Sequence, residues 1–487
     1  MTLQPPPSLT PTSGRIVSMD QFRGYTVFAM IIVNYLGKFT NSWERLKHDD
    51  YWLNFPDIIM PAFIFAVGFT FRLTILKRIP QMGALKTYLT YFKRSLALVL
   101  VSIVIYGAGV EFGPYENFFT NPYTGEIAAE ELAAYQEAVK TDSLPFYEMP
   151  PYFWENCQKL LAKFLKSAVW ETLAIIGGTQ ILTMTVIRLS FWWRVVAMVG
   201  FSFTHLFITW WFNWQFMYGW QQDEIWVKPE IGLNNWMGEI FQTGGRSWDG
   251  GLFGLFGFAS VMLAGSLCYD IQSKLPAQIA WKKIALTGLG LFVAGYLLSC
   301  LACLYQYDVA EAASDEIYIS GIGKDGQPEK NRFVYDHAAN PVIPDFSNYS
   351  KIDTYLAPFP VLGDIPETPA SKEAGYPYYL KNYWITAKRT ITLPYALITT
   401  GIAMLTLSFF IVFCDIWGKK IRVFEMLGMN PLAAYFLHKV FWLSFWKNTF
   451  DPKTLTPWLI AVTFVIYMTL VLGMVRSLDR QKIYIRM

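Results

Sequence analysis

Long apolar segments recur along almost the whole chain, and they constrain its fold more than any other feature. A helix needs about 20 residues to cross the hydrocarbon core of a bilayer. Segments of about this length cover residues 20–38, 56–74, 93–112, 168–190, 194–214, 250–270, 283–305, 390–414, 423–444 and 457–476. The sequence therefore predicts an all-α polytopic membrane protein, a bundle of about ten transmembrane helices with long extracytoplasmic loops.

The composition agrees with a membrane protein and excludes several other classes. Only 16% of the 487 residues are charged, against about 25% in soluble proteins. The net charge of +3 is too small to indicate a nucleic-acid partner. The five cysteines form neither a disulfide framework nor a metal-ligand pattern, so no metal is expected. Residues 1–14 lack the basic start of a signal peptide, and we expect no cleaved leader.

Basic residues cluster in the loops that follow every second predicted helix. They fall in residues 72–94, 188–194, 274–283 and 419–422. Cytoplasmic loops are enriched in lysine and arginine, so this side is predicted to be cytoplasmic and to carry both termini. We expect a cytoplasmic tail at 1–19, a transmembrane domain at 20–476 with extracytoplasmic loops at 113–166 and 307–388, and a second tail at 477–487.

Polar residues stand at both ends of the first predicted helix. Asp20 and Arg23 lie one turn apart at its start. An acid near the positive end of a helix dipole and an interfacial arginine are common structural features. The same pair could instead bind an anionic ligand. Asn34 lies near the other end of the helix, where an amide commonly links helices and could also orient a reacting group.

Two histidines and two further polar residues complete the set of candidates. His48 follows the first helix. Its loop position is typical of a solvated histidine, but the side chain also suits general-base catalysis. Asp57 begins the second helix, either as a capping residue or as the group that orients His48. Asn430, before Pro431, and His438 place polar groups at membrane depth, where such groups usually line cavities.

The spacing of these residues forms a recognisable pattern. Residues 15–68 read Arg-x-x-Ser-x-Asp-x-Phe-Arg-Gly, then a helix that ends in Val-Asn, a loop with a histidine, and Asp-x-x-x-Pro-x-Phe-x-Phe-x-x-Gly. The matching residues are Arg15, Ser18, Asp20, Phe22, Arg23, Gly24, Val33, Asn34, His48, Asp57, Pro61, Phe63, Phe65 and Gly68. Gly428-Met429-Asn430 followed by His438 forms a second match. In these motifs the chain resembles the heparan-α-glucosaminide N-acetyltransferase family of transmembrane acetyltransferases.

The resemblance implies transfer of an acetyl group from cytoplasmic acetyl-CoA to the amino group of a glucosamine-type sugar or glycan outside. It implies His48 as the catalytic histidine and Asn34 as its partner near the acetyl group. With Asp57, these residues form the expected catalytic set, and His48 is the expected general base. The residues expected to bind acetyl-CoA are Asp20, Arg23, Asn430 and His438.

Other functions and routes remain open at this point. An O-acyltransferase of cell-wall or surface glycans would keep the donor and change the nucleophile. A secondary transporter would share the helix count, although no internal repeat is visible; a non-catalytic scaffold is a further alternative. Direct transfer and an acetyl-histidine intermediate are both compatible with the residues. The expected partners are acetyl-CoA, the acceptor and a lipid bilayer, with homo-oligomerisation undecided, and the expected location is a bacterial inner membrane.

Overall fold

The protein is a helical bundle, as the apolar segments predict. The computed structural model describes residues 16–48, 52–107, 113–122, 124–141, 149–166, 169–213, 250–305, 318–322, 328–333, 342–343, 355–363, 383–388 and 391–484. Arg15 and the tail before it, parts of both expected extracytoplasmic loops, and the last three residues lie outside the described residues.

The helices follow one another in the order of the apolar segments. The first seven are α1 (Val17–Leu36), α2 (Phe55–Met82), α3 (Ala84–Tyr106), α4 (Ala129–Lys140), α5 (Phe153–Lys166), α6 (Thr172–Met184) and α7 (Phe191–Phe207). The others are α8 (Gly251–Lys274), α9 (Ala277–Ser299), α10 (Leu393–Phe410), α11 (Arg422–Met429), α12 (Pro431–Phe441), α13 (Lys447–Thr449) and α14 (Pro457–Arg480). Helices α7, α10 and α12 continue into π-helical turns at Ile208–Asn213, Ile411–Ile416 and Trp442–Trp446, and α9 continues into a 3₁₀ segment at Cys300–Tyr305.

Seven of the described helices are long and apolar enough to cross a membrane, which makes the chain a multi-pass membrane protein. They are α2, α3, α7 with its π turn, α8, α9 with its 3₁₀ segment, α10 with its π turn, and α14. The expected count of ten is not confirmed. Helix α1 carries Asp20, Arg23 and Asn34 within its 20 residues, and α6 has only 13 residues. The segment expected at 423–444 is divided at Asn430, because Pro431 cannot continue a helical hydrogen-bond ladder.

Small residues allow α2 to pack directly on α8. A Cβ at Gly68 would lie 1.8 Å from the carbonyl oxygen of Met262, and one at Gly265 would lie 2.0 Å from that of Phe65. Helix α1 packs on α11 in the same way, since a Cβ at Gly24 would lie 1.8 Å from the carbonyl oxygen of Phe424. Backbone contact of this kind is typical of helix packing in membranes. It fixes α1 and α2, which carry most of the candidate residues.

A buried ion cluster joins α2, α7 and α8. Asp270 accepts from Arg72 Nε at 3.2 Å and also binds Arg194. Arg72 also donates to the carbonyl oxygen of Ile187 at 2.6 Å, and Arg194 donates to Ser266 Oγ at 2.6 Å. Two arginines therefore share one aspartate, and the cluster keeps a net positive charge.

One end of the bundle, here called the basic end, is defined by contacts between three helices. Gln272 of α8 donates to Ser18 Oγ of α1 at 2.8 Å and to Asp415 Oδ2, beyond α10, at 2.9 Å. The Asp270 cluster lies one helical turn before the end of α8 and therefore belongs to the same end. Many of the basic residues of the short loops therefore lie at this end of the bundle.

Parts of the long loops pack on the opposite end. The described part of the 307–388 loop includes an antiparallel pair, β1 (Tyr318–Ile322) and β2 (Pro328–Phe333). Its segment 355–363 is held against the chain around His48. Arg45 donates to the carbonyl oxygen of Gly363 at 2.7 Å, and the amide of Val361 donates to that of Leu53 at 2.8 Å.

Candidate functional site

A cavity of about 440 Å³ lies inside the bundle at the end opposite to the basic end. Its wall combines the last turns of α1 and α3, the first turns of α2, and parts of α12 and α14. The apolar part of the wall includes Met30, Val33, Ile59 and Phe63. The polar lining residues are Asn34, Lys38, His48, Tyr106, Glu171, Thr172, Lys388, Tyr435, His438, Lys439 and Tyr467. Apolar walls with a few convergent polar groups are typical of ligand sites.

His48 and Asp57 form a pair at this cavity. His48 Nδ1 lies 2.6 Å from Asp57 Oδ1. The Asp57 side chain is fully buried, whereas that of His48 is 44% exposed. Asp57 Oδ2 also accepts from the backbone N–H of Asn54 at 3.1 Å, in the first turn of α2. Because the carboxylate is held by the helix start, it fixes the Nδ1 side of the imidazole and leaves Nε2 directed away from it.

Asn34 and His438 form a second pair on the same cavity, 404 residues apart in the chain. Asn34 Nδ2 lies 3.1 Å from His438 Nε2, and His438 Nδ1 lies 3.1 Å from the carbonyl oxygen of Ala434. A carbonyl only accepts, so Nδ1 carries the hydrogen and Nε2 accepts from the Asn34 amide. His438 is therefore neutral in this arrangement. Tyr467 donates to its carbonyl oxygen at 2.6 Å.

Asp20, Arg23 and Asn430 lie at the other end of α1. Arg23 contacts Asp20 Oδ1 at 3.0 Å and donates to the carbonyl oxygen of Gly428 at 2.8 Å. Asn430 is buried at the junction of α11 and α12. Asn34 is 14 residues further along α1 than Asp20, which corresponds to roughly 21 Å. Four residues were expected to bind acetyl-CoA. Of these, His438 lies with the residues expected to be catalytic, and the other three lie at the far end of α1.

The cavity also holds charged residues that the motifs did not indicate. Glu171 caps α6 and accepts from the backbone N–H of Thr172 at 3.2 Å. Lys439 Nζ lies 5.4 Å from the ring centre of Tyr106, whose hydroxyl is 3.1 Å from that of Tyr435. Ionisable residues beside apolar helices are functional candidates by default. That signal alone would have indicated Lys439, which directly follows His438 in the sequence.

Four charged residues line the cavity and are here called its rim: Lys38, Glu171, Lys388 and Lys439. Their charges influence one another. Burial raises the pKa of the Glu171 carboxyl, but the positive charges of Lys439 and Lys388 outweigh this effect, so the pKa lies below its usual value. Burial, with the like charge of Lys439, lowers the pKa of Lys38 beyond the end of α1. The rim therefore carries one carboxylate among three lysines.

No group of histidine, cysteine or acidic residues suited to holding a metal ion is found among the described residues. What the cavity provides is a carboxylate-bound histidine, an amide and a rim of charged groups. This set suits proton transfer and hydrogen bonding to a polar substrate.

Comparison with known proteins bears on the same part of the chain. Residues 15–128 match the family described as heparan-alpha-glucosaminide N-acetyltransferase, catalytic. The match includes α1, the His48 loop, α2 and α3, and thus both members of the His48–Asp57 pair. A search of curated proteins found no match. Over residues 15–128, the chain is thus similar to the catalytic region of the heparan-alpha-glucosaminide N-acetyltransferase family.

Proposed function

We propose that this membrane protein transfers an acetyl group from acetyl-CoA on the cytoplasmic side to the amino group of a glucosamine-type sugar or glycan on the other side. The family match indicates a transmembrane acetyltransferase. The observation that carries the finer proposal is the His48–Asp57 pair, 2.6 Å apart at a cavity that also contains Asn34 and His438.

In this proposal His48 is the general base. An amino sugar is mostly protonated at neutral pH and must lose a proton to attack a thioester. The Asp57 carboxylate accepts the Nδ1 hydrogen of His48, so that Nε2 has the lone pair needed to accept the proton of the amine. The carboxylate also stabilises the imidazolium that forms, as in other histidine–carboxylate pairs.

Asn34 is proposed to hold the thioester. Its amide nitrogen has two hydrogens, and one of them is donated to His438 Nε2. The second N–H is proposed to donate to the thioester carbonyl oxygen, which becomes negatively charged during attack. His438 then acts as a positioning residue, because its bond with Asn34 fixes the direction of the amide.

The donor is proposed to extend along α1. The adenine nucleotide and phosphates bind near Arg23, Asp20 and Asn430, and the pantetheine arm reaches the cavity about 21 Å away along the helix. A guanidinium suits phosphate groups because it is always charged and donates several hydrogen bonds. Acetyl-CoA is proposed to bind from the cytoplasm, because its phosphates would lie at the basic end, which by the positive-inside rule faces the cytoplasm.

The proposed reaction is a direct transfer. The amine nitrogen forms a bond to the acetyl carbon, and the bond from that carbon to the CoA sulfur breaks. The ammonium group first loses one proton to solvent, and the free amine attacks. His48 takes the second proton from the nitrogen as the new bond forms and returns it to the thiolate, which leaves as the CoA thiol. Both ring nitrogens of His438 are hydrogen-bonded, which argues against this residue as an acetyl carrier. The bacterial inner membrane remains the proposed location, with both termini cytoplasmic.

The proposal is tested by transfer of labelled acetyl from acetyl-CoA to glucosamine by the purified protein. His48→Gln should lower the rate of transfer about 10²–10⁴-fold and retain acetyl-CoA binding. His205→Gln is the matched control, because His205 is a buried histidine bonded to Tyr383 and does not line the cavity. Equal transfer by wild type and His48→Gln would refute the role of His48. Absence of both transfer and acetyl-CoA binding in the wild type would refute the acetyltransferase proposal and favour a transporter.

A further inference from the structure

A second cavity lies at the basic end, away from the candidate site. It has a volume of about 420 Å³ and lies among α7, α8 and α9. The lining residues are Phe191, Asp270, Ile271, Lys274, Leu275, Lys283, Leu286 and Thr287. No described residue lines both cavities. Helix α2, in backbone contact with α8, belongs to the wall of the first cavity only.

Positive charge dominates this second cavity. Lys274 and Lys283 both line it. Asp270 is the one acidic residue among its described lining residues, and that carboxylate is already bound by Arg72 and Arg194. One negative charge therefore stands against four positive charges in and directly behind the wall. Such a site attracts a ligand that carries negative charge.

The rest of the lining is mostly apolar and continues onto an exposed apolar face of α9. Leu286 lines the cavity and is 73% exposed, and further exposed leucine and valine side chains continue along α9 at Leu289, Val293 and Leu297. On α7, next to Phe191, the exposed side chains of Trp192 and Trp193 are typical of the membrane–water interface. A ligand here would thus meet cations at one end and an apolar helix face beside them.

The depth of the cations fits a lipid headgroup. Lys274 is the last residue of α8, and Lys283 lies in the second turn of α9. Asp270 is four residues before the end of α8, which corresponds to roughly 6 Å. Basic pockets between transmembrane helices on the cytoplasmic side are suited to anionic headgroups.

We propose that the cavity among α7, α8 and α9 binds the phosphate-bearing headgroup of an anionic phospholipid from the surrounding leaflet. Lys274 and Lys283 bind the phosphate, and Thr287 donates a hydrogen bond from its hydroxyl. One acyl chain lies along the exposed face of α9 beyond Leu286. This site is independent of the acetyltransferase proposal, since it shares no lining residue with the first cavity.

The test is lipid binding by the full-length protein in detergent, followed by native mass spectrometry with phosphatidylglycerol and with phosphatidylcholine. The proposal predicts that phosphatidylglycerol binds more tightly than phosphatidylcholine. The double variant Lys274→Gln, Lys283→Gln should lose about 5-fold in phosphatidylglycerol affinity per lysine, or roughly 25-fold in all. Its loss of phosphatidylcholine affinity should be smaller, because the choline cation offsets the charge of the phosphate.

The matched control is the double variant Lys86→Gln, Lys93→Gln. It removes two exposed lysines of α3, and neither of them lines either cavity. Phosphatidylglycerol affinity should stay within twofold of wild type in this variant. An equal loss in both double variants would mean that net charge alone attracts the lipid, and would overturn the site. Displacement of the lipid by coenzyme A or inorganic phosphate at micromolar concentration would also overturn it, in favour of a site for a soluble anion.

Discussion

Replacement of Asp57 by asparagine removes one charge and keeps the shape of the side chain. The backbone N–H of Asn54 needs an acceptor, which Asp57 Oδ2 provides at 3.1 Å. The amide oxygen of asparagine would take this position, so the amide NH₂ would face His48 Nδ1 in place of the oxygen now 2.6 Å away. A donor at this point requires the hydrogen of His48 to move to Nε2. The nitrogen proposed as the base then cannot accept a proton.

The expected magnitude follows from the loss of general-base catalysis. Proton transfer by a positioned side chain contributes about 10²–10⁴-fold to a rate, and kcat of Asp57→Asn should fall within this range. The cost in stability should be about 1 kcal/mol, since the amide oxygen of asparagine can still accept from the backbone N–H of Asn54 in the capping box. The assay is acetyl transfer to glucosamine at saturating concentrations of both substrates, together with thermal unfolding in detergent.

Two further variants make the result specific. In the double variant with His48→Gln, kcat should be no lower than in His48→Gln alone, because Asp57 acts through His48. Asp415→Asn is the matched control, since Asp415 likewise accepts from a backbone N–H and a side-chain N–H, but at the basic end. Its kcat should stay within about threefold of wild type. An Asp57→Asn enzyme within threefold of wild type, or a double variant in which the two losses multiply, would refute the reasoning.

Three further outcomes test the site and the packing. Asn34→Ala should lower kcat about 10²–10³-fold, as expected when a donor to the developing oxyanion is lost; unchanged kcat would remove Asn34 from the proposed mechanism. Gly68→Ala should lower the free energy of unfolding by about 3 kcal/mol, because the added Cβ would lie 1.8 Å from a backbone oxygen. Gly290→Ala, with no atom within 4 Å of the added Cβ, should melt at the wild-type temperature; equal melting of both variants would contradict the close packing. Asp270→Asn should cost about 3–5 kcal/mol, since it leaves two buried arginines without a carboxylate, and melting within 2 °C of wild type would contradict this role.

Hydropathy predicted the class of the fold well and the individual helices less well. Apolar length identifies segments that can cross a bilayer, and seven described helices meet that condition. It does not locate helix ends. Helix α3 was expected from residue 93 but begins at Ala84, because lysine and arginine also favour a helix. Hydropathy also predicted a segment at 168–190, where α6 has only 13 residues. The break between α11 and α12 was indicated by Asn430 and Pro431 and not by hydropathy, which gave one segment at 423–444.

The sequence indicated the contact in the candidate site that joins residues close together in the chain. It did not indicate the contacts that join residues far apart. Asp57 was considered as a partner of His48, nine residues earlier, and the structure places the two side chains in contact. Asn34 and His438 were both selected for their depth in apolar segments, but their contact depends on the packing of α1 against α12. Glu171 was not selected, because its role at the cavity depends on lysines that lie far away in the sequence. The catalytic roles of all these residues remain predictions.

Transfer of acetyl across the membrane can be measured in sealed proteoliposomes. Labelled acetyl-CoA is added outside, and glucosamine is trapped inside. Labelled N-acetylglucosamine should accumulate in the lumen with wild-type protein and much less with His48→Gln. A product that forms only when donor and acceptor are on the same side of the membrane would refute transfer across the bilayer.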